Sequence, residues 1–337
     1  MTGRGTGRET PMRTTRRTLM LTTAAGAGTL AAPAVLRAQA PLILKMAHIY
    51  APGNIWFETA EAYARGVAER SGGRVRIDIA HSGATGDWPA SIEGLLIGTN
   101  DIVLQSIGTL DRYNTIAGIE AYPYLVRDLA HFRSVYYGPA GAALFDEIAA
   151  KTRFRIIGAG YRGARQLSSN KRVDRVEDLR GLKLRVPPLK MYRLTWEFLG
   201  ASPVPMGVAE LFTSLQQGVV DGQENPLEVI ESLKFNEVQR YVIETAHVIG
   251  AMTWIWSDAR FRSLPEATRT MLKEEGDKAM LAATERMVVL EGELKARLQQ
   301  RGMTFVAVDL APFRARLAPM TREFPELASW VQRIQGV

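Results

Sequence analysis

The sequence predicts an α/β protein of two domains, and three observations carry that expectation. Residues 42–80 give strand, helix and strand signals in succession and run into a glycine-rich polar loop, a start that implies helices layered on a sheet. Residues 181–226 give a strand, two helices and a closing Asn-Pro corner. The 337-residue length leaves room for two domains, yet no linker, internal repeat or low-complexity tract divides the chain. Several crossings between domains are therefore expected, rather than beads on a string.

The elements follow in order. Leu42 to Ile49 reads as a strand ending near His48, and Ile55 to Arg70 as an amphipathic helix closed by Ser71-Gly72-Gly73. In Arg74 to Ala80, Val75, Ile77 and Ile79 fall on one face, a second strand with Asp87 in the loop beyond its exit. A helix from Pro89 to Ile97, a strand from Ile102 to Gln105 and helices over 128–137 and 139–150 come next. Pro139 suits a first helical position, where its missing N–H costs nothing. Phe154 to Gly160 reads as a strand and enters Gly158-Ala159-Gly160-Tyr161-Arg162-Gly163, which satisfies G-x-G-x-x-G. A dinucleotide fingerprint needs a helix opening at its last glycines, and residues 162–171 have no helical stripe.

The block from Gly181 to Pro226 organises the rest. Leu182, Leu184 and Val186 alternate with Lys183 and Arg185, and Pro187-Pro188 ends the pairing, leaving Arg185 at a strand exit. Open α/β sheets bind ligands at such exits. Arg185 is either an exposed or salt-bridged strand-end cation or the planar fork of an anion site. Val208, Leu211, Phe212 and Leu215 fall at helical spacing with Gly218 as cap, and Val219 to Pro226 reads as a short strand and turn. Asn225 is placed to cap a helix opening at Pro226, to meet a ligand, or both. Gln239 to Thr245 and Thr253 to Asp258 read as two strands, and 265–301 is nearly continuous helix former, longer than one domain is wide, so it either breaks or spans both domains. Short helices finish the chain after Leu310.

The pattern G-L-K-L-R-V-P, then G-A-S-P-x-P-M, then E-x-x-x-x-L-Q running into V-D-G-Q-E-N-P, resembles the DctP-type solute-binding proteins of TRAP transporters. The likeness extends over nearly the whole chain beyond residue 40. It implies a two-domain periplasmic binding protein of type II-like architecture, with a ligand cleft between domains and a long domain-spanning helix. It divides the chain into 41–162 with about 251–290 as domain I, and 163–250 with about 291–337 as domain II. It also implies that Arg185, Arg165 and Asn225 hold a carboxylate, that His48 and Asp87 add contacts from domain I, and that Val208, Glu210 and Gln105 stand at ligand-facing positions. Sialic-acid-binding members resemble one another in an acid and an arginine where this chain has Gln105 and Gly108, a departure that argues against that ligand. The implied partners are a small organic acid and the TRAP membrane permease subunits, with a monomer expected.

Composition narrows the class. The net charge is +7, but residues 1–40 hold six arginines (Arg4, Arg8, Arg13, Arg16, Arg17, Arg37) against Glu9, so the remainder has 36 cations and 34 anions. That balance is not a nucleic-acid surface. Thr15-Arg16-Arg17-Thr18-Leu19-Met20, an alanine-rich apolar run and Ala38-Gln39-Ala40 read as a twin-arginine export signal over 1–40, placing the protein in the periplasm. No cysteine is present, so thiolate metal sites, iron–sulfur clusters and a cysteine nucleophile are excluded. No metal, cofactor or catalytic residue is expected. Trp254, Trp256, Trp88 and Trp196 are read as core. Two rivals remain: an exported nicotinamide-dependent oxidoreductase, resting on Gly158 to Gly163, and a periplasmic ligand-sensing subunit.

Overall fold

The computed structural model describes residues 40–337; the twin-arginine signal and its cleavage site lie outside them. In chain order the strands and helices are β1 (Leu42–Ala47), α1 (Ile55–Arg70), β2 (Val75–Ala80), α2 (Trp88–Ile97), β3 (Ile102–Ser106), α3 (Leu129–Tyr136), α4 (Pro139–Lys151), β4 (Phe154–Ser169), β5 (Lys183–Val186) and α5 (Lys190–Leu199). There follow β6 (Ser202–Pro205), α6 (Leu211–Gln216), β7 (Gly222–Pro226), α7 (Leu227–Ser232), β8 (Tyr241–Ser257), α8 (Asp258–Arg262), α9 (Glu266–Gln300), β9 (Thr304–Val306), α10 (Leu310–Leu317) and α11 (Ala328–Gln335).

The nine strands of the described residues join one mixed sheet in the order β2-β1-β3-β8-β4-β7-β5-β6, with β9 beside β8. Its spine is the antiparallel pair β4 and β8. β3 pairs with the C-terminal half of β8, from Met252 to Trp256, and brings the parallel strands β1 and β2 with it. β7 pairs instead with the C-terminal half of β4, from Arg165 to Ser169, and brings β5 and β6. Two sets of parallel strands thus hang from opposite ends of two long shared strands.

β4 and β8 correct the expectation of shorter strands. β4 runs for 16 residues because β-bulges at 157–160, 161–164 and 165–167 bend it without ending it. β8 runs for 17 residues through what read as a break, with Ala246 at φ +40 absorbing one irregularity. The G-x-G-x-x-G run lies inside β4, so no helix opens on it and the dinucleotide reading loses its structural basis. Helix packing accounts for the glycines. A Cβ at Gly158 would stand 2.9 Å from Met280 Cγ, and one at Gly160 would stand 3.0 Å from Met280 Sδ and 3.2 Å from Trp56.

That close approach belongs to α9, 35 residues without interruption and about 52 Å long at 1.5 Å per residue. Leu272, Met280, Ala283 and Met287 enter the main hydrophobic core, where Trp196, Trp254 and Trp256 are fully buried. Leu294 and Leu298, two turns further on, enter a second cluster with Leu211, Leu215, Ile230 and Phe235 under α6 and α7. One helix therefore serves both apolar clusters. α6 starts at Leu211, later than the Val208 spacing suggests, and Gly218 takes its left-handed turn (φ +68) one residue past the cap. Among the described residues no helix is long and apolar enough to cross a membrane.

Candidate functional site

A cavity of about 400 Å³ opens where the strand exits converge. Its walls come from the loop after β1 (Ile49 to Asn54), the end of β3 (Gln105, Ser106), the bulged middle of β4 (Arg162, Arg165), the exit of β5 (Arg185, Pro187), Tyr192 of α5, Asn225 of β7 and α7. Val208 and Trp88 close further parts of the wall. Trp88, read as core, is both largely buried and part of this lining.

Arg185 is 3% exposed, and its Nε donates to the Met206 carbonyl at 2.9 Å. That carbonyl is fixed in turn, because Met206 N–H donates to Val186 O at 3.0 Å. Among the described residues no carboxylate forms an ion pair with Arg185, while Lys183, two residues back on the same strand face, is in water. Burial pulls the Arg185 pKa down to about 10, against the favourable field of Glu224 and with the repulsion of Arg165. A buried cation in this state gains from an incoming anion, and its planar fork matches a carboxylate.

Arg165 is treated differently. It donates from Nη2 to Glu224 Oε1 at 2.8 Å and from Nε to Oε2 at 2.5 Å, and Nη2 also reaches Asn225 Oδ1 at 3.0 Å. The Tyr192 ring lies 4.9 Å from its guanidinium carbon. Burial alone would raise the Glu224 carboxyl, but Arg165 and a hydrogen bond from His247 hold it at about 2. Burial lowers the His247 pKa, so the neutral ring donates from Nε2 to Glu224 at 3.0 Å while Nδ1 faces the Thr245 hydroxyl at 2.9 Å. Asn225 does not cap α7. Its amide is spent on Arg165 and on Gln223 Oε1 at 2.5 Å, so it fixes the arginine's position at the wall.

A third guanidinium, Arg162, was not foreseen as a lining residue. It is 8% exposed, with Nε 3.5 Å from Glu228 Oε1. Glu228, in the first turn of α7, also accepts from Trp56 Nε1 at 3.2 Å and Asn54 Nδ2 at 3.1 Å. Residues three apart on a regular strand face opposite ways, so Arg162 and Arg165 share a wall only through the bulge between Tyr161 and Ala164.

Of the expected site residues, Arg185, Arg165, Asn225, Gln105 and Val208 come together at this cavity. Gln105 turns its Oε1 back to the Ser106 N–H at 2.9 Å. His48, Asp87 and Glu210 do not belong to its lining. His48 is buried behind the wall, its Nδ1 accepting the Tyr50 N–H at 3.2 Å and its ring edge-on to Phe57. Burial, with His81 nearby, lowers its pKa to about 4, so it is neutral near pH 7. Asp87 caps α2 through the Trp88 N–H at 2.7 Å and lines the adjoining groove with Val208. Glu210 is exposed just ahead of α6.

Comparison with known proteins agrees with this architecture. The profile of DctP, the bacterial extracellular solute-binding proteins of family 7, matches residues 46–327. A solute-binding protein of Roseobacter denitrificans is 35% identical over 282 residues, 81% of this chain and 84% of that protein. Its structure as a TRAP periplasmic solute-binding protein with bound L-galactonate superposes with a TM-score of 0.83 over 88% of this chain and 99% of that one. A TRAP periplasmic solute-binding protein of a Polaromonas species bound to D-erythronate gives 0.83 at 32% identity, over 88% and 99%. The sialic acid-binding periplasmic protein SiaP of Vibrio cholerae is 31% identical over 83% of this chain and 88% of that protein. These relatives are binding proteins, not enzymes, which removes the oxidoreductase alternative already undercut by the course of β4. The chain belongs to the DctP family, family 7 of the bacterial extracellular solute-binding proteins.

Proposed function

We propose that this protein captures a small organic carboxylate at Arg185 and delivers it to the membrane subunits of a TRAP-type transporter from the periplasm. The carrying observation is Arg185 itself, a buried guanidinium with one backbone hydrogen bond and, among the described residues, no carboxylate partner at the wall of a cavity of about 400 Å³. Bound L-galactonate and D-erythronate in two relatives support an acid of this size. In this reading Asn225 and Glu224 hold Arg165 beside the bound carboxylate, while Gln105 and Val208 face the ligand's body.

The two parallel strand sets, with their helices, act as lobes that close on the ligand, divided near residues 162 and 250. Asp87 stands at the rim and His48 supports the wall, so neither is needed to hold the carboxylate. Export by the twin-arginine route follows from the leader, and a monomer suffices for the site. A thermal-shift screen of sugar acids, C4-dicarboxylates, hydroxy acids, keto acids and aromatic acids tests the reading. A stabilising acid, confirmed by calorimetry and paired with compaction in X-ray scattering, supports it, whereas no response across these classes refutes it.

A further inference from the structure

The three arginines at the cavity are not equivalent, and the difference bears on how many carboxylates a ligand brings. Arg165 is matched by Glu224 and Arg162 by Glu228, leaving Arg185 as the guanidinium of this wall without an acidic partner among the described residues. The remaining charged side chain of the lining, Glu231, is an anion already paired with Arg297 of α9 at 2.8 Å. Glu120, behind the wall, accepts the Gly108 and Ala251 N–H groups and adds no positive charge. A second ligand carboxylate would therefore be buried without a free cation, which is costly.

Glu228 is the residue that makes the difference. Nε of Arg162 makes no hydrogen bond, and the 3.5 Å approach of Glu228 supplies its counter-charge. Asn54 and Trp56 pin that carboxylate from the start of α1, so it does not swing aside to admit another anion. Resting on the carboxylate reading above, we infer that the site accepts a single carboxylate, at Arg185, and that Glu228 excludes dicarboxylates by occupying Arg162.

Matched acids that differ only in a second carboxylate test this by isothermal titration calorimetry. The pairs are L-galactonate with galactarate, D-erythronate with meso-tartrate, and 3-hydroxybutyrate with malate. In the wild-type protein the monoacid of a binding pair should bind at least about 30-fold more tightly than its diacid. In Glu228→Gln the ratio should narrow by about tenfold or more, because Arg162 is released for the second carboxylate. Equal binding of monoacid and diacid by the wild type overturns the inference, and that comparison needs no variant to fold. An unchanged ratio in a folded Glu228→Gln protein removes Glu228 as the discriminator. Tight binding of a diacid alone overturns the inference while sparing the carboxylate reading, and binding of neither member of any pair counts against both.

Discussion

Arg165 and Glu224 meet side by side across β4 and β7, two hydrogen bonds joining a 5%-exposed guanidinium to a fully buried carboxylate. Removing one partner leaves the other buried and uncompensated. Glu224→Gln should therefore lose about 3–5 kcal/mol of stability, read from urea denaturation. A loss below about 1 kcal/mol in a native-like fold would mean that water or His247 replaces the pair.

Acid should act first through the buried histidines, His48 and His247, and then through Glu224. The His48 pKa falls from 6.5 to about 4 on folding, so the unfolded chain binds that proton first and stability is lost as pH drops from 6.5 towards 4. Glu224 falls from 4.5 to about 2, so its contribution is intact above 4.5 and fades as pH drops towards 2. Each gap is worth about 3 kcal/mol at most. Unfolding free energy measured from pH 8 to 3 should bend downward below about 6.5, and His48→Gln should reduce the first bend, with buried His247 supplying the remainder. A flat profile between 6.5 and 4.5 would contradict this assignment.

Arg185→Ala should weaken binding of the screened acid by about 2–5 kcal/mol, roughly 30-fold to several thousand-fold. Arg185→Lys should fail nearly as badly, since an ammonium keeps the charge and loses the fork. Affinity within about threefold of wild type in folded Arg185→Ala, again by calorimetry, would make the arginine structural.

Gly158→Ala should cost roughly 1–3 kcal/mol of stability in denaturant titration, because the added methyl meets Met280 and the backbone sits at φ +62. In a Met280→Ala background, itself destabilised by the cavity it leaves, the added cost of Gly158→Ala should be smaller if the clash with that side chain is the main cause.

The strand exit at Arg185 was legible because one alternating run ended in two prolines, α1 because its apolar spacing closes at Ser71-Gly72-Gly73, and α9 because 265–301 is nearly continuous helix former. Arg162 was hidden for the opposite reason. Its place at the wall depends on a bulge, and period-two reasoning assigns it to the face opposite Arg165. His48 misled because a strand end predicts proximity to the cleft but not the inward turn of the ring against Phe57. Glu224 read only as part of a motif, since its partnership with Arg165 depends on two strands 59 residues apart lying side by side.

The unbroken course of α9 has a consequence for how the molecule melts. Met280 and Met287 belong to one apolar cluster and Leu294 and Leu298 to the other, and the helix runs unbroken from one to the other through Gly292. Fraying either cluster strips the shared helix of half its packing. β4 and β8 couple the same two regions through the sheet. Calorimetry should record a single cooperative transition whose van't Hoff and calorimetric enthalpies agree, and hydrogen exchange should protect both halves of α9 to the same global limit.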